Sequence, residues 1–237
     1  MILYGKPVAD ALREQYAEWI EAMAWKRTLT VIKNETSDKG YLAAIQREAE
    51  LWKVNLMYAE DLKQAAQMQG VRVIDLRRNA ARKLHGFYAV DGQSDVGREK
   101  AYVGEMYADT PCTSEAIISM LDYYNIPIAG KHAVVIGRSE RVGKPTAMLL
   151  LARDATVTVC HSKTDKGDLL KLVVGADIVV CASGQKGLID RTCVPGGCTV
   201  VNVGGDYNEC DKRLNLIPFK GGVGPVTTAV LMSHVLM

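Results

Sequence analysis

Several features that indicate membrane, secreted or nucleic-acid-binding proteins are missing from this sequence. No apolar run approaches the roughly 20 residues that a membrane-spanning helix needs. The start, MILYGKPVADALREQ, has polar residues where a signal peptide has an apolar core. The 237 residues carry a net charge of only +2 and no long basic run. We therefore expect a cytoplasmic protein that binds neither membrane nor nucleic acid.

Metal-binding and disulfide patterns are also lacking. The six cysteines contain no CxxC pair, and the four histidines show no metal-ligand spacing. Several cysteines lie within apolar runs, where a free thiol packs like a small hydrophobic side chain. We expect reduced thiols, as is usual in the cytoplasm, and no metal site; disulfides are the alternative.

The second half of the sequence contains four nearly all-apolar runs of strand length. These runs are HAVVIG, TVTVC, DIVVCAS and CTVVNVG. The segment before them, TSEAIISMLDYYNI, opens with a helix N-cap pattern at Thr113-Ser114-Glu115. Apolar runs that alternate with helices are typical of a parallel sheet buried on both faces. We predict a doubly wound α/β domain from about Thr113 to Lys220.

The first half has weaker patterns that also indicate α/β structure. Apolar residues at helical spacing predict a helix from about Val8 to Trp25, a second over YLAAIQREAELWKV and a third near LKQAAQMQG. Short β-rich runs predict strands at TLTVIK, NLMYAEDL, VRVIDL and HGFYAV. The polar stretch from Asp91 to Thr110 shows no pattern that predicts an element.

The loop after HAVVIG has the composition of an anion site. Gly137 ends the apolar run, and Gly143 and Pro145 lead into the next apolar segment. Proline has no N–H to lose in a first helical turn, and glycine lets backbone approach a ligand closely. Such a turn would place unpaired N–H groups and the positive end of a helix beneath an anion. A tight turn without a ligand stays open, because the spacing does not match GxGxxG.

The residues after the second run, TVTVC, bear on the choice of cofactor. NAD-binding domains usually place an acidic residue there, which accepts a hydrogen bond from the ribose 2′-hydroxyl. Here His161, Ser162, Lys163 and Thr164 follow instead, and Arg138 lies on the neighbouring loop. Cationic and hydroxyl groups suit a 2′-phosphate, so we predict NADP rather than NAD. Lys163 has the simpler interpretation of a solvated surface charge.

Together these residues resemble the bifunctional methylenetetrahydrofolate dehydrogenase/cyclohydrolase family. The resemblance is carried by GRSERVGKP, CHSKT, PCT at residues 111–113, SGQKGLI, VNVG and, most specifically, GGVGPVTTAVL at residues 221–231. It is weaker before Pro111, where GKPVADALR, YLAAIQREAE and VDGQSDVG are similar to family segments. The resemblance therefore covers nearly the whole chain.

The resemblance implies a two-domain architecture and an activity. Residues 1–112 would form an α/β substrate domain that binds folate, completed by a C-terminal helix at residues 226–237. Residues 113–225 would form a Rossmann-like NADP-binding domain, through which family members tend to form homodimers. The implied reaction is oxidation of 5,10-methylenetetrahydrofolate, followed by hydrolysis of the methenyl product.

Functional residues of the family carry over to particular positions. Tyr41 would pack on the folate ring and Asp91 would hydrogen-bond the pterin, as catalytic and substrate-binding residues. The open alternatives are an ordinary amphipathic side chain for Tyr41 and a turn residue for Asp91. The further positions expected to contact folate are Gly222, Val223 and Pro225. The positions expected to contact NADP are Gly137, Arg138, Ser139, Val142, Gly143, His161, Ser162, Gly222, Gly224 and Thr227.

Departures from the family pattern concern the hydrolysis step. The resemblance implies a catalytic lysine one helical turn after Tyr41, where this sequence has Ile45, and the partner glutamine has no match. Arg47 would point to nearly the opposite side of the helix, and Lys39 belongs to the preceding loop. We predict an NADP-dependent dehydrogenase whose cyclohydrolase activity is weak or lost. The alternatives are a family member that binds NADP without turnover and an oxidoreductase acting on another imine-like substrate.

Overall fold

The computed structural model describes residues 1–35, 37–68, 71–76, 88–89, 110–208 and 213–237. The chain divides into two compact units, which we name by their sheets. The four-stranded unit comprises Ala9–Cys112 and Thr227–Met237, and the five-stranded unit comprises Met1–Val8 and Thr113–Val226. The sequence predicts Met1–Val8 as part of the substrate domain, whereas the structure groups these residues with the five-stranded unit. Within the described residues, no helix has the length and apolar character needed to cross a membrane.

Parallel strands and short helices form the four-stranded unit. Its helices are α1 (Gly5–Gln15, entering the unit at Ala9), α2 (Ala17–Ala22), α3 (Lys39–Leu51) and α4 (Leu62–Ala66). Its strands are β1 (Thr28–Ile32), β2 (Asn55–Ala59), β3 (Val71–Asp75) and β4 (Tyr88–Ala89), in the order β2-β1-β3-β4 with every pair parallel. The single helix predicted over residues 8–25 is two helices, because the backbone leaves helical geometry at Tyr16.

The position of β1 inside the sheet follows from its composition. Leu29, Val31 and Ile32 are fully buried, whereas the edge strand β2 alternates between more and less exposed side chains. Downstream of β1, the Asp38 carboxylate caps α3 by accepting a hydrogen bond from the Tyr41 N–H at 2.9 Å. This bond satisfies one of the N–H groups that a first helical turn leaves unpaired.

The five-stranded unit is a doubly wound parallel sheet, as predicted. Its helices are α5 (Cys112–Tyr123), α6 (Gly143–Leu151), α7 (Lys166–Val174) and α8 (Val223–Leu236), the last of which continues into the four-stranded unit at Thr227. Its strands are β5 (His132–Ile136), β6 (Thr156–Cys160), β7 (Ile178–Cys181), β8 (Thr199–Asn202) and β9 (Asn215–Ile217), in the order β6-β5-β7-β8-β9. All strand pairs are parallel. β9 was not predicted, because three residues are too few to show a pattern.

The cysteines of this sheet pack as hydrophobic side chains. Cys160, Cys181 and Cys198 belong to one apolar core cluster. Burial raises the pKa of the Cys198 thiol to about 12, so this thiol is protonated at neutral pH. The five cysteines among the described residues are all free of disulfides.

The start of α5 differs from the predicted N-cap. The helix begins at Cys112, so Thr113 and Ser114 lie inside its first turn rather than before it. The predicted N-cap is therefore wrong. Ser114 is fully buried, and its hydroxyl bonds to a neighbouring loop instead.

Candidate functional site

The loop between β5 and α6 is closed by Ser139. Its hydroxyl accepts hydrogen bonds from the N–H groups of Val142 at 3.2 Å and Gly143 at 3.3 Å. Its carbonyl accepts a third from the Lys144 N–H at 3.1 Å. The prediction that the first N–H groups of the helix are left unpaired for an anion is therefore wrong, because Ser139 satisfies them locally.

Two N–H groups earlier in the same loop are not hydrogen-bonded in this way. Within the described stretch 110–208, the backbone N–H groups of Arg138 and Ser139 make no hydrogen bond to the protein. Both residues are exposed. An anion bound here would therefore meet loop N–H groups that precede the helix, not those of its first turn.

Gly137 and Gly143 are required by the packing of the loop backbone. Gly137 has a φ of +120°, and a Cβ there would lie 2.5 Å from the Ala182 carbonyl oxygen. A Cβ on Gly143 would lie 2.2 Å from the Gly137 carbonyl oxygen. The sequence predicts that Gly143 lets the backbone approach a ligand closely. In the structure, Gly143 instead lets the backbone approach Gly137 closely.

Two buried hydroxyls hold the loop against α5 and α6. The Thr146 hydroxyl donates to Ser114 Oγ at 3.0 Å, and Ser114 donates to the Val142 carbonyl at 3.2 Å. Val142 is the N-cap residue of α6, and its apolar side chain makes no capping hydrogen bond. The role of Ser114 was not predicted, since Thr-Ser before an apolar segment ordinarily indicates an N-cap.

A cavity of about 270 Å³ lies at the carboxyl ends of β5, β6 and β7. Its apolar lining consists of Ile136, Cys160, Leu169 and Leu188, and its polar lining of His161, Ser162, Thr164, Lys166, Ser183 and Gln185. Apolar walls with a few polar groups suit a flat aromatic group that bears polar substituents. The predicted residues His161 and Ser162 line this cavity, which we call the nucleotide cavity, and Arg138 does not.

Hydrogen bonds in the turn after β6 orient the His161 ring. The Lys163 N–H donates to His161 Nδ1 at 3.2 Å, so Nδ1 is the acceptor and Nε2 carries the ring proton. The Thr164 hydroxyl accepts from the His161 N–H at 3.0 Å, and the Thr164 N–H donates to the His161 carbonyl at 2.8 Å. His161 therefore presents an N–H donor from a half-buried, well-held ring.

The glycines of the GGVGPVTTAVL segment serve different purposes. Gly222 is buried, and a Cβ there would lie 2.0 Å from the Pro218 carbonyl oxygen. A Cβ on Gly224 would meet nothing within 4 Å, and Gly224 is exposed. Gly222 is therefore required for packing within the protein, while the missing side chain of Gly224 leaves open space.

The other predicted residues of this segment differ in accessibility. Val223 and Thr227 are buried, and Pro225 is partly exposed. The sequence predicts Thr227 at the start of the C-terminal helix. Because α8 begins at Val223, Thr227 instead lies in its second turn. Among the predicted residues of this segment, Gly224 and Pro225 are the most accessible to a ligand.

Tyr41 and Ile45 lie one turn apart on α3 in unlike environments. Tyr41 is partly exposed, whereas Ile45 is 0% exposed. Arg47, two residues further on, is exposed. The position at which the resemblance implies a lysine is thus part of the apolar core.

A second cavity, of about 450 Å³, lies at the carboxyl ends of β1 and β2 beside the start of α3. Lys33 and Lys39 both line it, and Lys33 Nζ lies 4.2 Å from the centre of the Tyr58 ring. Leu42, one turn after Lys39, lines it too, whereas Tyr41 and Ile45 do not. Lys39 therefore lines a cavity that the expected lysine position, Ile45, does not border.

The remaining predictions concern Asp91 and metals. Asp91 lies outside the described residues. Among the residues that are described, no group of three or more His, Cys, Asp or Glu is arranged to hold a metal ion. One buried pair was not foreseen: Cys112 Sγ lies 3.7 Å from His234 Nδ1, a contact between residues 122 positions apart.

Comparison with known proteins identifies the family. Residues 111–237 match the family model described as tetrahydrofolate dehydrogenase/cyclohydrolase, NAD(P)-binding domain. The chain belongs to this family. The bifunctional protein FolD of Arthrobacter globiformis is 33% identical over 276 residues, covering 98% of this chain and 92% of that protein. FolD of Methanosarcina mazei is 48% identical over 139 residues, covering 54% of this chain and 48% of that protein.

A solved structure of a family member extends the likeness to the fold. The Trypanosoma brucei methylenetetrahydrofolate dehydrogenase-cyclohydrolase, complexed with NADP cofactor and inhibitor, matches with a TM-score of 0.89 at 25% identity. The match covers 100% of this chain and 96% of that one. The family, predicted from motifs, and the α/β fold with a Rossmann-like domain, predicted from apolar runs and the resemblance, are therefore confirmed.

Proposed function

We propose that this protein is an NADP-dependent methylenetetrahydrofolate dehydrogenase whose cyclohydrolase activity is weak or lost. One contrast carries the proposal. The nucleotide cavity has polar residues suited to NADP, whereas a fully buried Ile45 stands where the second activity is expected to need a lysine. The family membership and the NADP of the Trypanosoma brucei complex support the reaction and the cofactor.

The residues of the nucleotide cavity fit the adenosine half of NADP. Leu169 and Leu188 provide apolar walls suited to the adenine faces. Residues 161–164 contain no carboxylate that would repel a 2′-phosphate. Ser162 and the exposed Arg138 on the adjacent loop would bind that phosphate, and the loop N–H groups of Arg138 and Ser139 would bind the pyrophosphate.

Hydride transfer requires little of the protein beyond placement. When bound, NADP⁺ accepts a hydride from the methylene carbon of the substrate. The substrate's own nitrogen lone pairs stabilise the cation that forms, so no side-chain acid or base is needed. Tyr41 would hold the folate ring, with Asp91 on the pterin, and the accessible Gly224 and Pro225 would border the reacting groups.

Hydrolysis of the methenyl product has a different requirement. Water must be activated and protons moved as the ring opens, and general acid–base catalysis of this kind contributes ~10²–10⁴-fold. Ile45 has no titratable group, and Lys33 and Lys39 line a cavity that neither Tyr41 nor Ile45 borders. We therefore expect cyclohydrolase activity at least about tenfold lower than that of a relative with the lysine.

A single assay tests both parts. The protein is mixed with 5,10-methylenetetrahydrofolate and NADP, and NADPH and the methenyl product are followed by absorbance, with the Arthrobacter globiformis relative in parallel. NADPH should form, and the methenyl product should accumulate. NADP binding without NADPH formation would favour the alternative of a binding protein without turnover.

Lys39→Ala and Lys33→Ala are the matched variants for the second step. Neither should change the slow decay of the methenyl product. Rapid enzyme-dependent decay that survives Lys39→Ala would show that another group performs the hydrolysis. Rapid decay abolished by Lys39→Ala would show that Lys39 replaces the missing lysine, and either result would contradict the proposal.

A further inference from the structure

We propose that Lys166 is a second cation, in addition to Arg138, that selects the 2′-phosphate of NADP, an inference that rests on the proposed cofactor. The sequence pattern pointed to Arg138 on the β5–α6 loop and gave no signal at Lys166. Among the described residues that line the nucleotide cavity, Lys166 alone carries a formal charge. Neither Arg138 nor Lys163 lines this cavity.

The geometry of α7 accounts for the position of Lys166. It is the first residue of the helix, and Leu169, one turn later, is 6% exposed and also lines the cavity. Residues three apart lie on the same face of a helix. The buried Leu169 therefore fixes which face of α7 borders the cavity, and Lys166 lies on that face at the rim.

The acidic residues near Lys166 are already engaged. The Asp165 carboxylate caps α7 by accepting from the N–H groups of Gly167 at 2.7 Å and Asp168 at 3.3 Å. Asp168 pairs with Lys171 at 3.1 Å. Over the part of the chain that the structure describes, the Lys166 side chain makes no ion pair or hydrogen bond. Its ammonium is therefore available to an anionic ligand.

A phosphate on the adenine ribose matches this arrangement. In doubly wound domains the residues after the second strand contact the ribose 2′ position. Ser162 supplies a hydroxyl there and Lys166 a positive charge, at the end of a cavity whose walls suit adenine. A phosphate carries up to two negative charges at neutral pH, so a lysine stabilises it much more than it stabilises a hydroxyl.

The test compares two ligands that differ only in the 2′-phosphate. Adenosine 2′,5′-bisphosphate and adenosine 5′-monophosphate are titrated calorimetrically into the full chain. Lys166→Gln should weaken the bisphosphate by about ten- to a hundredfold, the usual contribution of a charged hydrogen bond, and should leave the monophosphate within about twofold. Lys166→Arg, which keeps the charge, should retain most of the preference.

Lys163→Gln is the matched control, because Lys163 is an exposed lysine in the same turn that lies outside the cavity. It should change neither affinity by more than about twofold.

Equal weakening by both glutamine variants would reduce the effect to diffuse surface charge and overturn the proposal. So would equal weakening of both ligands by Lys166→Gln. If the bisphosphate preference survives Lys166→Gln undiminished, Lys166 does not contribute to the selection although NADP remains the cofactor. Absence of any preference in the unmodified protein would overturn the cofactor assignment as well.

Discussion

The two units support function by different means. In the five-stranded unit, the β5–α6 loop is held by several hydrogen bonds and by glycines packed against backbone. In the four-stranded unit, the expected acid–base position is one side chain on α3, and here it is the buried Ile45. The proposed cofactor loop depends on several separate contacts, whereas one replacement is enough to remove an acid–base group. The proposed dehydrogenase activity can therefore persist without the cyclohydrolase activity.

The largest expected effect tests whether Ile45 truly belongs to the core. Ile45→Lys should lower the free energy of unfolding by about 3 kcal/mol or more, because it places an unpaired ammonium in an apolar site. Urea denaturation measures the loss. Ile45→Val is the control and should lower it by about 0.5–1.5 kcal/mol. An Ile45→Lys protein as stable as the original, with raised cyclohydrolase activity, would show that this position opens onto the substrate.

A smaller effect should appear in the five-stranded unit. Gly143→Ala should lower the free energy of unfolding by about 1–3 kcal/mol, because the new Cβ would lie 2.2 Å from the Gly137 carbonyl oxygen. NADP affinity should fall with it, as the loop moves. Gly196→Ala serves as the control, since a Cβ there meets nothing within 4 Å, and its effect should stay within about 0.5 kcal/mol. Indistinguishable stabilities for the two variants would contradict the packing role of Gly143.

The smallest effect depends on pH and concerns Glu48 on α3. Its carboxylate accepts from the Trp52 indole N–H at 3.1 Å and lies 3.7 Å from Arg13. Burial raises the pKa of Glu48 above its usual 4.5, although the positive charge of Arg13 opposes the shift. A raised pKa in the folded state means a stability contribution that is complete below pH 4.5 and lost as pH rises through the folded pKa.

Glu48→Gln should therefore gain stability relative to the original protein as pH rises from 4 to 7. Unfolding free energies measured at both pH values give the comparison. Glu50→Gln, at an exposed position on the same helix, should show no such trend. A gain that is larger at pH 4 than at pH 7 would mean that the pairing with Arg13 outweighs burial and that the pKa is lowered.

Most of the five-stranded sheet could be predicted because its strands are continuous apolar runs. HAVVIG, TVTVC, DIVVCAS and CTVVNVG each contain one of the observed strands. β9 could not, since its three residues depend on pairing with β8 and on hydrogen bonds between Leu216 and the chain start. Short edge strands owe their structure to partners that are distant in sequence.

Within the candidate site, motifs located the loops but not the contacts. Ser139 lies in the predicted loop, yet its role in closing it depends on the loop's folded shape. Ser114 bonds to residue 142, a partner that local sequence does not reveal. Lys166 was missed because its relation to the cavity follows from the face of α7 fixed by Leu169. Local patterns identify which segment matters, and packing decides which atoms act.

The discontinuity of both units has a consequence for synthesis on the ribosome. Leu3 donates its N–H to the Leu216 carbonyl at 2.7 Å, and the Leu216 N–H donates to the Met1 carbonyl at 2.8 Å. The two partners are separated by most of the chain, so at about 5–20 residues per second Leu3 waits roughly 10–40 s for Leu216 to be made. The four-stranded unit waits longer still, because Thr227–Met237 belongs to it. Each unit consists of two segments that are separated in the chain by residues of the other unit, so neither is complete until its second segment has been translated. This order favours folding after synthesis over folding during synthesis.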